Sequence, residues 1–528
     1  MNTRKHIHKA LLALLLISAV GCTDKFESTN TDPYQISEES LQQDFNQIGS
    51  YYPTMLSNIF GQQIEHNLIN DSYARHLATP TPFVGGINNT TYYITWNTYW
   101  NRIYDNIMSP SYQVIELAEE QGEEVFVAWA KLIRIIGASR LTAYHGPIIY
   151  SEFGSTSQSI NYDSEEVLYT TFFSELDEIL TTFNANLDYG KLEAFDASFG
   201  GDVSSWVKVA NTLRLQLAIR ISKVAPTLAQ TEGEKAIAEA GGLISTNADN
   251  FYISLYGAQF HPAVICFSWN DTRMSATMES ILVGYKDNRI SSYFEPAIDA
   301  SLYPDHPDYP YKGIRNGALL GSKDDRLSYS TISEDFEDVG SRRLMTATET
   351  QFLLAEAALR GWAGTGTAQE HYESGVQMSF EEWGAAGASD YLADASSLPL
   401  DYTDPKAAAG VNAFTNRIEV TVAWDEAATN EVKLEKIITQ KWIAGYMNSI
   451  EAWVDHRRTG YPKLPYNYKN DSNSTWGVIA EDDFLRRMPF VTRERENNPN
   501  GVADATSKLG GPDEIGTHLW WDTGEPNF

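Results

Sequence analysis

Gln440-Lys441-Trp442 and, nine residues on, Glu451-Ala452-Trp453-Val454-Asp455-His456-Arg457-Arg458-Thr459-Gly460-Tyr461-Pro462 are the stretches on which the fold turns. Helical spacing over 430–457 predicts one long helix there. Trp453 and Arg457 are four residues apart, so the guanidinium can lie on the indole. Arg457 and Arg458 sit in the last turn, where cations suit the helix dipole. Gly460 then stops the helix and Pro462 follows it. Structure accounts for each of these residues, so the motif is read as scaffold rather than ligand contact.

Outward from it, amphipathic helices are predicted over 123–145, 164–183, 203–224, 231–241, 346–362 and 367–383, with Ala355 to Arg360 strongly helix-favouring. Trp96, Trp100, Tyr104 and Ile107 fall on one helical face and read as core. Ser37-Glu38-Glu39-Ser40 looks like a capped helix start leading to Leu41, Phe45, Ile48 and Tyr52. Adjacent helix pairs suggest tetratricopeptide-like hairpins, although no strict 34-residue period is present. The stretches around 245–340, 384–429 and 458–528 are different, rich in proline and aromatics with few periodic runs. The fold class is therefore mainly α, a helix-hairpin scaffold carrying long aromatic-rich loops, and loops of that length usually have a job.

The N-terminus carries Arg4, Lys5 and Lys9, an apolar run from Ala10 to Ile17, and then Gly21-Cys22. That run is a signal-peptide core, too short to span a bilayer. A cysteine directly behind it marks a lipoprotein: residues 1–21 are the leader, Cys22 takes the lipid, and 22–36 form a tether to the body at 37–528. Ala19, where leucine is common, is a departure. Acyl chains then anchor the protein without any spanning segment. Of the two cysteines, Cys22 and Cys266, only Cys266 stays a thiol, so no internal disulfide forms. Its apolar neighbours Val264, Ile265 and Phe267 predict a buried, inert side chain.

The 39 Lys and Arg against 70 Asp and Glu give a net charge of −31, which disfavours nucleic acid and anionic lipid surfaces. No H-E-x-x-H, G-x-S-x-G, P-loop or paired C-x-x-C pattern occurs, and no cofactor is implied. His66 and His76 flank Asp71 without completing a metal site, and read as surface or capping residues. The polar run Asn467 to Ser474 lacks EF-hand spacing and reads as a solvated turn. Acids are numerous enough that a glycosidase pair cannot be picked out, so binding without chemistry is favoured over hydrolysis.

Together the motifs resemble the SusD/RagB superfamily of nutrient-binding outer-membrane lipoproteins of the Bacteroidetes, closest to its SusD-like, starch-binding branch. The resemblance rests on Gly21-Cys22, Asn30-Thr31-Asp32-Pro33, and Asp287-Asn288-Arg289-Ile290 before Tyr293-Phe294, with Asn288 departing from a common proline. It continues through Glu349 to Ala357, the 440–462 motif, Arg486-Arg487-Met488-Pro489 to Glu494 and Asn497, and Trp520-Trp521. It implies about four tetratricopeptide-like helix pairs and a place on the outer face of the outer membrane. It also implies a SusC-type TonB-dependent transporter as partner, and capture of an oligosaccharide, or alternatively an oligopeptide as in RagB. Asp24 and Glu27 after the lipidated cysteine suit surface export. A surface glycoside hydrolase is the more distant alternative.

Rings on non-periodic segments are the predicted ligand contacts, because sugar faces lie on Trp or Tyr while amides, carboxylates and guanidinium groups take the hydroxyls. Three groups qualify: Tyr92 and Tyr93 within Phe83–Tyr93; Trp269, Asn270 and Arg273 around Asp271; and Tyr303, Tyr309 and Tyr311 among prolines.

Overall fold

A computed structural model describes residues 44–528 except 257–260, 262, 305 and 338. The leader, Cys22, the tether and the helix start at Ser37–Ser40 lie outside the described residues. The chain divides into a unit ending at Gly49, whose described part holds a short helix Asn46–Gly49, and a compact unit over Ser50–Phe528.

Its frame is built from consecutive helices. These are α1 (Ser109–Glu120), α2 (Glu124–His145), α3 (Glu165–Ala185), α4 (Val203–Arg220) and α5 (Pro226–Ala238), each packing on the next. After the loop-rich stretch come α7 (Ala347–Leu359) and α8 (Ala368–Glu382), the most closely packed pair, and then α9 (Asn430–Ala444) and α10 (Ser449–Thr459). Caps set the starts: Ser164, Asp202, Thr346, Thr367 and Thr429 each accept a backbone N–H of the first turn. Among the described residues no helix is long and apolar enough to cross a membrane.

The observed helices depart from expectation in several places. The single helix predicted over 430–457 is two, α9 and α10, broken at Gly445–Asn448 with Met447 in the left-handed region at φ 70°. Asn448, in the break, is held across the fold. Its Nδ2 donates to Leu344 O at 3.0 Å, and its Oδ1 accepts from Arg140 Nη2 at 2.8 Å. Helix α1 is not among the predicted helices, although Pro110 in its first turn marks a start. Pro226 likewise starts α5 five residues before the predicted 231. The loop-rich stretches also contain regular helix, namely Val264–Trp269, α6 (Ala276–Gly284) and α11 (Pro499–Leu509).

Trp453 and Trp442 are buried, and Arg457 stacks 3.6 Å over Trp453. Arg457 Nη1 donates to Ala143 O at 2.7 Å, and Arg487 donates to His145 O at 2.8 Å. Two buried guanidiniums thus satisfy the carbonyls left open at the C-terminus of α2. Asp287 and Arg289 form another interior pair, Arg289 also reaching Ser379 of α8 and Gln440 of α9. The familiar motifs are the scaffold's internal ties.

His66 and His76, predicted at the surface, are buried: His66 meets Arg342, while His76 bonds Ser449 and Trp442 O. No metal-binding group of His, Cys, Asp or Glu occurs among the described residues. Cys266 is buried as expected, its Sγ 2.7 Å from Thr331 Oγ1.

Candidate functional site: a loop surface bearing exposed rings

Two short antiparallel strands, β1 (Leu77–Ala78) and β2 (Arg273–Met274), pair Leu77 with Met274 and Ala78 with Arg273. This register carries Thr79–Thr81 alongside Asn270–Thr272. Thr81 Oγ1 donates to Asp271 Oδ1 at 2.6 Å, and Lys323 Nζ donates to the same oxygen at 2.7 Å. Lys323 also donates to the Trp269 carbonyl. Asp271 is therefore a buried knot joining three loops. Above it Trp269 stands 51% exposed. Asn270 follows in the left-handed region at φ 53°, a conformation asparagine tolerates well, and is exposed.

The 83–93 loop splits its two tyrosines. Tyr92 is left-handed at φ 66° and ends the short helical turn Asn89–Thr91, so consecutive rings leave on opposite sides. Tyr92 is 2% exposed, its hydroxyl accepting from Arg75 Nη2 at 2.9 Å, while Tyr93 is 40% exposed. Asn89 clamps the following backbone: its Oδ1 accepts from Thr95 N and Trp96 N, and its Nδ2 donates to Trp96 O. Trp96 consequently precedes the helical turn Tyr99–Ile103 instead of lying on its face. It is half-buried with its ring edge-on to Phe83 at 6.2 Å.

The run from Asn467 is a strut, not the solvated turn expected. Asn467 Nδ2 donates to Thr90 O at 3.0 Å, Asp471 N to Thr91 O at 2.7 Å, and Lys469 Nζ to Gly86 O at 2.8 Å. Lys469 N also donates to Gly317 O at 2.7 Å. Gly317 has φ 64°, and a Cβ there would lie 2.5 Å from the Asn467 side chain, so this approach requires glycine. Between these ties Tyr468 is 40% exposed, with the Arg315 guanidinium 5.4 Å from its ring centre. Arg315 donates to Ala413 O and Tyr466 O, and burial lowers its pKa to about 10.

The predicted contacts thus divide. Trp269, Asn270 and Tyr93 are exposed on loops held by buried polar ties, and the structure adds the exposed Tyr468 and the half-buried Trp96 on tied segments of the same kind. Tyr92 and Arg273 are corrected to the interior. Arg273 is 3% exposed, and its guanidinium serves Thr272 O at 2.7 Å and Leu327 O at 3.3 Å. Tyr303 packs on a separate small core of Ala78, Leu302, Ile314 and Tyr329, and Tyr309 is half-buried. Tyr311 is 7% exposed and lines, with Tyr303, a different cleft whose wall includes the Lys312–Glu279 pair. Tyr468 and Trp96 were hidden by the polar composition around one and the apparent helical spacing of the other.

Carboxylates that hold protons unusually well lie elsewhere. Burial raises Asp71 to about 6, where Ser449 donates to it, and Glu165 to about 7, where the Trp520 N–H donates at 2.8 Å. Both are enclosed in the scaffold.

Solved structures share this architecture over almost the whole chain. A chitin-binding SusD homologue from Flavobacterium johnsoniae is 43% identical with a TM-score of 0.85, covering 92% of this chain and 100% of that one. SusD homologues from Bacteroides uniformis and Bacteroides vulgatus are 35% and 33% identical, with TM-scores of 0.82 and 0.84. They cover 90% and 92% of this chain, and 99% and 100% of their own. No curated protein matches the chain. The family model for SusD-like proteins, described as Susd and RagB outer membrane lipoprotein, matches residues 28–522, and the chain belongs to that family.

Proposed function

We propose that this protein is a non-catalytic glycan-capture lipoprotein, anchored through Cys22 at the outer surface, which delivers its ligand to a SusC-type TonB-dependent transporter. The observation that carries the reading is the loop surface. Trp269, Tyr93 and Tyr468 are exposed rings whose backbones are fixed by buried polar ties, a preorganised platform for the apolar faces of sugars. Chitin-type oligosaccharides are the favoured class, because the 43%-identical relative is a chitin-binding protein. Capture without turnover is supported by the placement of Asp71 and Glu165, whose raised pKa values serve interior contacts away from the rings.

Gentle purification of the membrane complex, followed by mass spectrometry of the ligand and partner it carries, tests the reading. Chito-oligosaccharide and a large β-barrel protein are the expected companions. Retained peptides would favour the RagB-type alternative. Turnover of a glycan panel, lost on one Asp or Glu substitution, would overturn the non-catalytic reading.

A further inference from the structure

A second cleft opens on the helical frame. It has a volume of about 520 Å³, within the range of roughly 300–1,000 Å³ typical of ligand sites. Trp100, Tyr104 and Phe153 form its apolar side, while Asp105, Gln158, Arg493 and Asn497 are among the polar residues at its rim. One wall is the π-turn Tyr104–Met108, a widened backbone form that often marks functional positions. Tyr104 is locked there, its hydroxyl donating to Ile149 O and accepting from Ile149 N, both at 2.8 Å. Phe153 leans on Tyr104 at 5.7 Å and meets the exposed ring of Tyr112 edge-on at 6.3 Å.

The charges at this cleft are internally answered. Arg493 is the one base lining it among the described residues, and pairs with Asp105 at 3.3 Å; Glu494 accepts from Tyr162 OH at 2.9 Å. Nothing there selects an anion. The half-buried ring of Phe153, backed by the buried Trp100 and Tyr104, stands beside amides, a carboxylate and a guanidinium, a lining that suits a neutral polyhydroxylated ring and shares no residue with the loop surface.

We infer that the Trp100–Phe153–Arg493 cleft is a second saccharide-binding site, separate from the loop surface around Trp269, so that one chain holds a glycan at two places. The inference rests on the glycan reading above. Binding at two places keeps a long ligand from leaving when either contact opens, raising avidity without a new interface.

Hydrogen exchange of the full lipidated protein in detergent, with and without chitohexaose, tests it. Slowed exchange is expected in two separate groups of peptides, 83–96 with 269–273 and 104–109 with 153–160. Phe153→Ala should abolish the second slowing and keep the first; Trp269→Ala should do the reverse. Ser157→Arg, at an exposed coil position on the cleft's edge, should block the second site without disturbing packing. Slowing at 269–273 with none at 104–109 and 153–160 overturns the second site while leaving the first. Slowing there that survives both Phe153→Ala and Ser157→Arg also overturns it. No slowing in either group overturns both readings.

Discussion

Arg458 and Glu356 meet in a fully buried, two-pronged ion pair, Nη1 to Oε1 at 2.6 Å and Nη2 to Oε2 at 2.7 Å, joining α10 to α7. Asp455 and Arg360 flank it and complete the charge balance. The guanidinium beside it holds Glu356 down to about 2 despite burial.

Arg458→Met should therefore cost about 3–5 kcal/mol in chemical denaturation, since it leaves Glu356 buried without its main partner. Arg458→Met with Glu356→Leu should recover most of that loss, because both charges then leave together. The wild-type contribution follows from a depressed folded pKa. It is present above the unfolded value near 4.5 and is lost as pH falls from there toward about 2.

Glu165 has the opposite sign. Its folded pKa is raised from 4.5 to about 7, so its contribution is present below pH 4.5 and is lost as pH rises through 7. Glu165→Gln keeps an acceptor for the Trp520 N–H and removes the buried charge. The variant should gain up to about 3 kcal/mol over wild type at pH 8 and little at pH 4. Denaturation curves at the two pH values check this, and equal gains at both would count against the assignment.

Asp271→Ala should release Lys323 and Thr81 and loosen the loop that presents Trp269. Glycan affinity should fall while the helical frame persists, so calorimetric binding weakens with an unchanged far-ultraviolet circular dichroism spectrum. Lost helical signal would mean that Asp271 supports the fold rather than the platform.

Cys22→Ala should lose labelling by a fatty-acid analogue and appear unanchored. Labelling that persisted would place the lipid elsewhere.

The scaffold was legible in the sequence because its ties are chemically unusual. An Arg-Arg pair at a helix end before Gly460, and a Trp four residues from Arg457, have few ways to be buried, and they sit where the pattern put them. The break at Met447 was not legible, because apolar spacing runs through it. The candidate site was half legible. Tyr92 and Tyr93 are indistinguishable as letters, and only a left-handed residue at the end of a short turn sends one ring inward. Arg273 looked like a rim residue beside Trp269, yet pairing with β1 turns it into the interior. Tyr468 depends on Gly317 and Arg315, more than 150 residues away, and no local signal announces it.

Titration of the full-length protein with chito-oligosaccharides, comparing wild type with Trp269→Ala, tests the central claim most directly. Saturable binding by wild type is predicted, weakened about tenfold or more in Trp269→Ala, a loss of about 1.4 kcal/mol, with an unchanged melting temperature because the ring is half in solvent. No binding by wild type, or equal binding by both, would contradict capture of glycan on this surface.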